Sequence, residues 1–264
     1  MKRDLETLQS REHDLLVVGG GIAGAWTVYE AATRGLKAAL VEAEDFGQAT
    51  SWSSLKTAHG GLRHLQRLDV AGFRESTIER RALLRVAPEI VRPLTFAIAA
   101  PGAVECVKYF LGGLANDMLA FDRNEGVRND RRIESSRVID GATARSSCGD
   151  AFGGSAAFTW QDAQIMHTER LLIALLHEAV ASSAIVANHC RVETITRDPE
   201  GFRVEAADTE GKQSVVLKSR SIVNAAGAAL EKVAELSGES LRTPALFRGA
   251  VSYTHLTLPT NREV

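Results

Sequence analysis

The residues best suited to chemistry stand near the N-terminus, where Gly19-Gly20-Gly21-Ile22-Ala23-Gly24 has the spacing G-x-G-x-x-G. It directly follows the apolar run Leu15-Leu16-Val17-Val18, which suits a strand buried on both faces. Ala25 to Arg34 reads as the helix that the glycines open, with Gly35 at the C-terminal cap position. A second apolar run, Ala38 to Val41, ends in Glu42, 18 residues after Gly24 and close to the roughly 20 of dinucleotide sites. Strand, turn, helix and strand make a βαβ unit with parallel pairing. Gly19 permits the tight turn, Gly21 lets a pyrophosphate approach the backbone, and Gly24 lets the helix pack on the strand. The helix N-terminus offers N–H groups and partial positive charge to phosphates. Glu42 can accept hydrogen bonds from ribose hydroxyls and would repel a 2′-phosphate, which disfavours NADP. FAD and NAD both use such a turn.

The remaining elements must position this turn. The chain has 264 residues, 45% apolar and 24% charged, ordinary values for a globular protein with a substantial core. Thirty-one basic and 33 acidic residues leave a formal charge of −2, which argues against binding nucleic acid through bulk charge. Cys106, Cys148 and Cys190 are scattered, with no disulfide framework and no metal spacing, and a reducing compartment is the simplest expectation. The seven histidines form no zinc set, so no metal is expected. No apolar run reaches the roughly 18 residues of a membrane span, and nothing resembles a secretory signal. The first ordered element is predicted near Asp14. Phe46 to Gly61, rich in Ser, Thr and Gly, is an irregular segment. Leu68 to Ala87 is predicted helical, Pro93 to Gly102 holds a short strand, and Tyr109 to Leu119 is a weaker helix. The charged stretch Arg123 to Arg137 is expected to be a solvated loop. Ile165 to Ser183 has a helical period and Ile185 to Ala187 is a short strand. Val192 to Thr196 and Phe202 to Ala206 flank the turn Asp198-Pro199-Glu200-Gly201 as a hairpin. Val215 to Leu217 and Ser221 to Asn224 are two further strands, and a helix spans Ala228 to Ser237.

After Glu42 the chain does not continue into regular βα units. It returns to a buried-type strand only near Ser221, and a nucleotide domain interrupted by an insertion is typical of flavoproteins. The string Ala49-Thr50-Ser51-Trp52-Ser53-Ser54-Leu55-Lys56-Thr57-Ala58-His59-Gly60-Gly61-Leu62-Arg63-His64-Leu65 resembles the signature of FAD-dependent glycerol-3-phosphate dehydrogenases, members of the wider D-amino-acid-oxidase-like group. Leu40-Val41-Glu42 with Asp45-Phe46, Glu79-Arg80-Arg81, Trp160-Gln161-Asp162 and Val223-Asn224-Ala225-Ala226-Gly227 are similar to other segments of that family. The implied fold class is α/β, a Rossmann-like FAD-binding domain with an inserted α+β substrate-domain segment. The implied boundaries are 13–75 and 155–249 for the discontinuous FAD-binding domain with part of the substrate sheet, and 76–154 for the insertion. Residues 250–264 are expected to be a non-native tail, and the chain a C-terminally truncated member, since the family runs to about twice this length.

The resemblance implies oxidation of sn-glycerol 3-phosphate to dihydroxyacetone phosphate, with FAD as cofactor and quinone as final acceptor. It implies that Gly19, Gly21, Gly24 and Glu42 bind the FAD phosphates and ribose. Thr50, Ser51, Ser54, Lys56 and His59, with Gly60 and Gly61, would lie along pyrophosphate and flavin. Val192 would meet the adenine through its backbone, and Gly227 would let the chain approach the nucleotide. Arg63 would face the substrate, where a guanidinium suits a phosphate. His59 is the candidate base for the hydroxyl proton, because imidazole titrates near neutrality; positioning of the flavin or plain packing are its alternative roles. His64 stands where the family usually has Tyr, Trp52, Leu55, Thr57 and Ala58 differ from the commonest signature, and Ala228-Ala229 replaces a usual Pro-Trp. Arginine binds carboxylate as readily as phosphate, so an amino-acid or amine oxidase is the alternative enzyme, and a non-catalytic FAD-binding fragment the alternative outside enzymes. The expected partners are a small phosphorylated polyol and no nucleic acid. The expected location is cytoplasmic, soluble or peripheral on the inner face of the membrane, and the oligomeric state is open.

Overall fold

The structure, a computed structural model, describes residues 1–149 and 152–240, the side chain of Cys148 apart. In chain order the elements are α1 (Leu5–Ser10), β1 (Glu12–Val18), α2 (Ile22–Thr33), β2 (Ala38–Val41), β3 (Thr57–Ala58), α3 (Leu62–Leu65), α4 (Val70–Val86), β4 (Val91–Ala100), α5 (Ala103–Leu119), β5 (Arg137–Asp140), α6 (Gly141–Cys148), β6 (Ala156–Ile165), α7 (Thr168–Ala181), β7 (Ile185–Ala187), β8 (Cys190–Asp198), β9 (Gly201–Asp208), β10 (Gln213–Asn224) and α8 (Leu230–Glu235). The described residues divide into two units, 1–54 with 168–240 and 55–167.

The first unit holds a six-stranded sheet in the order β7-β2-β1-β10-β9-β8. Its first four strands are parallel and β10-β9-β8 is antiparallel. Side chains alternate across β1, so Leu16 and Val18 enter one core and Val17 the other. The first core joins Ala39, Val41, Val204, Val215 and Leu217 to Leu5 and Leu8 of α1. The second joins Leu40 and Val186 to Val28 and Ala32 of α2 and to Leu172 and Leu176 of α7. A strand covered on both faces must be apolar at every position, which is why 15–18 reads as a continuous run.

The second unit is built on β6. β4 pairs with it over the ten residues Ala156–Ile165, while β3 and β5 share its other edge. Leu84 of α4 packs with Val91, Val127, Ile133 and Ala163. The α5 helix leaves Val104, Val107, Leu111, Leu114 and Met118 exposed. No helix among the described residues is long and apolar enough to cross a membrane.

Several elements differ from expectation. The first ordered element is α1, whose Leu5 and Leu8 are buried and whose Asp4 accepts from the Thr7 N–H as N-cap. The segment 123–137 is not simply solvated, because Val127 and Ile133 are core residues and Arg123, Arg128 and Arg131 pair with carboxylates or carbonyls. The two strands expected over 215–224 are one, β10, whose early residues pair with β9 and whose later ones pair with β1. β5, α6 and β6 are not among the expected elements, and Ile165, expected to open a helix, ends β6 instead. Residues 55–75 and 155–167 belong to the second unit, in which β3 pairs with β6. The expected tail at 250–264 lies outside the described residues.

His13 is buried, with Nε2 3.0 Å from the Leu8 carbonyl and no partner at Nδ1 among the described residues. Burial pushes its pKa below the ordinary 6.5, against the Leu8 carbonyl. The unfolded chain therefore binds more protons below that value, and stability falls as pH drops through it. Urea unfolding midpoints should fall between about pH 7 and about pH 5.5, and His13→Gln should remove most of that slope; an unchanged slope in the variant would refute the assignment.

Candidate functional site

In the first unit the glycine turn links β1 to α2. Gly19 has φ +114°, and a Cβ there would stand 2.6 Å from the Ala225 carbonyl oxygen. The turn is thus pressed against the residues after β10. A Cβ on Gly24 would overlap the Gly19 carbonyl oxygen, so the first turn of α2 touches the strand exit backbone to backbone. Gly21 caps α2 without a side chain, and Ser51 Oγ accepts from the Ile22 N–H at 3.0 Å. A bare helix N-terminus beside a hydroxyl is a place for phosphate. Glu42, at the end of β2, accepts from the Gly20 N–H at 2.5 Å and from the Glu44 N–H at 2.9 Å. Its carboxylate has lone pairs beyond these two, so it can still accept from ribose hydroxyls.

The other residues expected at the nucleotide lie close by. The Cys190 N–H donates to the Glu42 carbonyl at 2.8 Å, which brings the start of β8 to the end of β2. Val192 follows, and a bulge between it and Thr194 interrupts pairing with β9. Gly227 has φ +56° and nothing within 4 Å of a Cβ position. Thr50 is exposed, and Ser54 Oγ lies 3.5 Å from the Ser51 carbonyl.

In the second unit, Lys56, His59, Gly60, Gly61 and Arg63 form a separate constellation. Lys56 has φ +55° and its carbonyl accepts from the Ile165 N–H at 2.7 Å. Gly61 has φ +87° and caps α3, where a Cβ would come 2.9 Å from Ser76. Arg63 projects from α3 into solvent and makes no ion pair among the described residues. His64 pairs with Asp69 at 2.8 Å, and Asp69 caps α4 through the Gly72 N–H, which lowers its pKa most, with His64 adding to the effect.

The centre of this constellation is Asp162, which the sequence pattern gave no role. Oδ1 accepts from the Gly60 N–H and from Arg80 Nη1, both at 2.7 Å, while Oδ2 lies 3.0 Å from His59 Nδ1. Asp162 and Arg80 are both 6% exposed, whereas the His59 side chain is 59% exposed. Burial pulls the Arg80 guanidinium below its ordinary pKa, opposed by Asp162. Arg80 also donates to the Gln161 carbonyl at 3.0 Å, and Thr77 Oγ1 to the Gly60 carbonyl at 3.2 Å. Asp162 and Arg80 each lay in a string quoted for its family likeness, but only a pairing distant in sequence shows what they do. Among the described residues no group of three His, Cys, Asp or Glu is placed to hold a metal ion.

A parallel βαβ sheet with a glycine turn at a bare helix N-terminus defines a nucleotide-binding α/β protein of Rossmann type. More particularly, the chain belongs to the FAD dependent oxidoreductase family, whose model matches residues 14–263. Glycerol-3-phosphate dehydrogenase 1 of Mycobacterium bovis is 35% identical over 222 residues, covering 81% of this chain and 41% of that protein. The alpha-glycerophosphate oxidase of Streptococcus pyogenes serotype M3 is 29% identical over 242 residues, covering 88% and 38%. The chain spans about two fifths of the length of these curated relatives. Among solved structures, the FAD complex of the Bacillus halodurans glycerol-3-phosphate dehydrogenase superposes with a TM-score of 0.63 at 21% identity, covering 88% of this chain and 37% of that one. The L-proline dehydrogenase of P. horikoshii gives 0.62 at 16% identity, covering 89% and 58%. The fold is therefore shared with enzymes named for different substrates. The glycine turn, the uncapped α2 N-terminus and Glu42 suit the family's FAD.

A Cβ at Gly60 would collide with the Arg80 guanidinium, which has no room to withdraw. Gly60→Ala should lower stability in urea by about 2–4 kcal/mol, as expected when a buried ion pair is displaced. Gly227→Ala meets no atom and should cost only about 1 kcal/mol for its positive φ. Equal losses at the two positions would overturn this account of Gly60.

Proposed function

We propose that this chain carries the FAD-binding part and some of the substrate machinery of an oxidoreductase. That enzyme converts sn-glycerol 3-phosphate to dihydroxyacetone phosphate, with quinone as final electron acceptor. The observation that carries the cofactor assignment is the Gly19–Gly24 turn at the bare start of α2, beside Glu42. Gly19, Gly21, Gly24, Ser51 and Thr50 would receive the pyrophosphate and Glu42 the ribose. Val192 would meet the adenine with its backbone, and Gly227 would let the chain approach the nucleotide. Ser54, Lys56, Gly60 and Gly61 would continue toward the flavin. FAD, when bound, supplies acceptance of a hydride from a carbon bearing a hydroxyl or amine. The substrate assignment is supported by the names of the relatives at 29–35% identity. Arg63, exposed and without an ion-pair partner among the described residues, would hold the substrate phosphate, and His59 would take the hydroxyl proton. Quinone and a peripheral place on the membrane rest on the family resemblance, and the exposed apolar row of α5 fits such a surface.

The purified chain mixed with FAD should show a bound-flavin spectrum, and anaerobic sn-glycerol 3-phosphate should bleach it. Arg63→Ala should raise the half-saturating substrate concentration roughly tenfold or more, the worth of a charged hydrogen bond. Bleaching by amino acids alone would replace the substrate assignment with an amino-acid oxidase. Flavin that binds but is bleached by nothing would make the chain a non-catalytic binding fragment. A chain that takes up no flavin would overturn the cofactor assignment.

A further inference from the structure

We infer that Asp162, clamped by Arg80, is a positioning residue that holds His59 in the Nδ1–H tautomer and so makes Nε2 the proton acceptor. A carboxylate has no proton to donate, so the ring nitrogen 3.0 Å from Asp162 Oδ2 must carry one. In a neutral imidazole the lone pair then lies on Nε2. The ring is more than half exposed, so that lone pair is open to a ligand. Asp162 cannot turn away to release the tautomer. Its Oδ1 is fixed by Gly60 N–H and Arg80 Nη1, and Arg80 is fixed in turn by the Gln161 carbonyl. Phe96 stands beside the His59 ring, with centroids 6.4 Å apart. When a substrate O–H bond breaks, its proton moves to Nε2, the electron pair stays on oxygen, and the imidazolium formed faces the Asp162 carboxylate. The chemical role of His59 in this account rests on the function proposed above; the tautomer does not.

The test is the histidine ring ¹⁵N spectrum of the whole chain, read by long-range ¹H–¹⁵N correlation at neutral pH. His59 should show a protonated Nδ1 and an unprotonated Nε2. Asp162→Asn keeps an oxygen for Gly60 and Arg80 but turns an N–H donor toward His59 Nδ1, and should remove the Nδ1–H tautomer and place the proton on Nε2. If that variant fails to fold, Arg80→Met with Asp162→Leu removes the buried pair as a unit and should give the same loss. Thr77→Val, which touches Gly60 but not Asp162, should leave the tautomer as it is. In flavin reduction by substrate, Asp162→Asn should lower the limiting rate about 10–100-fold with little change in half-saturation. A wild-type His59 protonated at Nε2, or an unchanged tautomer in folded variants, overturns the inference. If the tautomer responds as stated while wild-type flavin is not reduced by sn-glycerol 3-phosphate, the positioning stands and the substrate assignment fails.

Discussion

A carboxylate removed from water needs partners, and in the second unit the partners of Asp162 decide what stands around it. The Arg80–Asp162 pair draws together α4, β6 and the turn at Gly60, three pieces far apart in sequence. Such a pair is not a strong source of net stability, because taking both charges from water offsets their attraction. Removing one partner alone leaves a buried charge and is severe, typically about 3–5 kcal/mol. The pair therefore acts as a geometric constraint. Gly60 must lack a side chain because the guanidinium occupies that space, and the backbone N–H of Gly60 must face inward because it serves the carboxylate.

The first unit obeys a parallel constraint in backbone contact instead of charge. Gly19 and Gly24 let β1, α2 and the segment after β10 approach more closely than any Cβ permits. Both candidate regions are thus shaped by missing side chains, but for different reasons. At 19 and 24 the excluded atom would meet main chain, which has nowhere to go. At 60 it would meet a side chain locked by its own hydrogen bonds.

Much of this was legible in the sequence. β2 and β7 fall where their apolar runs end, and the β8–β9 hairpin falls where Asp198-Pro199-Glu200-Gly201 places it. The glycine turn was readable because its chemistry is local: a few residues fix the bend and the phosphate-facing N–H groups. Asp162 was not, because a carboxylate's role depends on Arg80 and His59, which approach it only through sheet pairing and helix packing. β6 was hidden for a related reason. It is flanked on both edges and buried at both kinds of position, so it shows no two-residue alternation. α1 escaped notice because two buried leucines on a six-residue helix give no period to detect. The segment 123–137 looked solvated because its charges outnumber its apolar residues, yet Val127 and Ile133 enter the core while Arg123, Arg128 and Arg131 are neutralised by Asp117, Glu89 and Asp130.

The central strand β1 lies between β2, which follows it closely, and β10, which arrives only at residues 213–224. The order in which the chain is synthesised therefore matters. Until residue 213 has emerged, β1 has one edge satisfied and one open, with Leu15 to Val18 already exposed along it. An open, apolar, β-branched edge is a template for pairing with another chain. The whole second unit is made during that interval. Nascent chains of this topology thus pass through a window of self-association risk that closes with a single late strand. A ribosome pausing before residue 213 prolongs that window, and shielding the open edge until β10 arrives is where a chaperone would act.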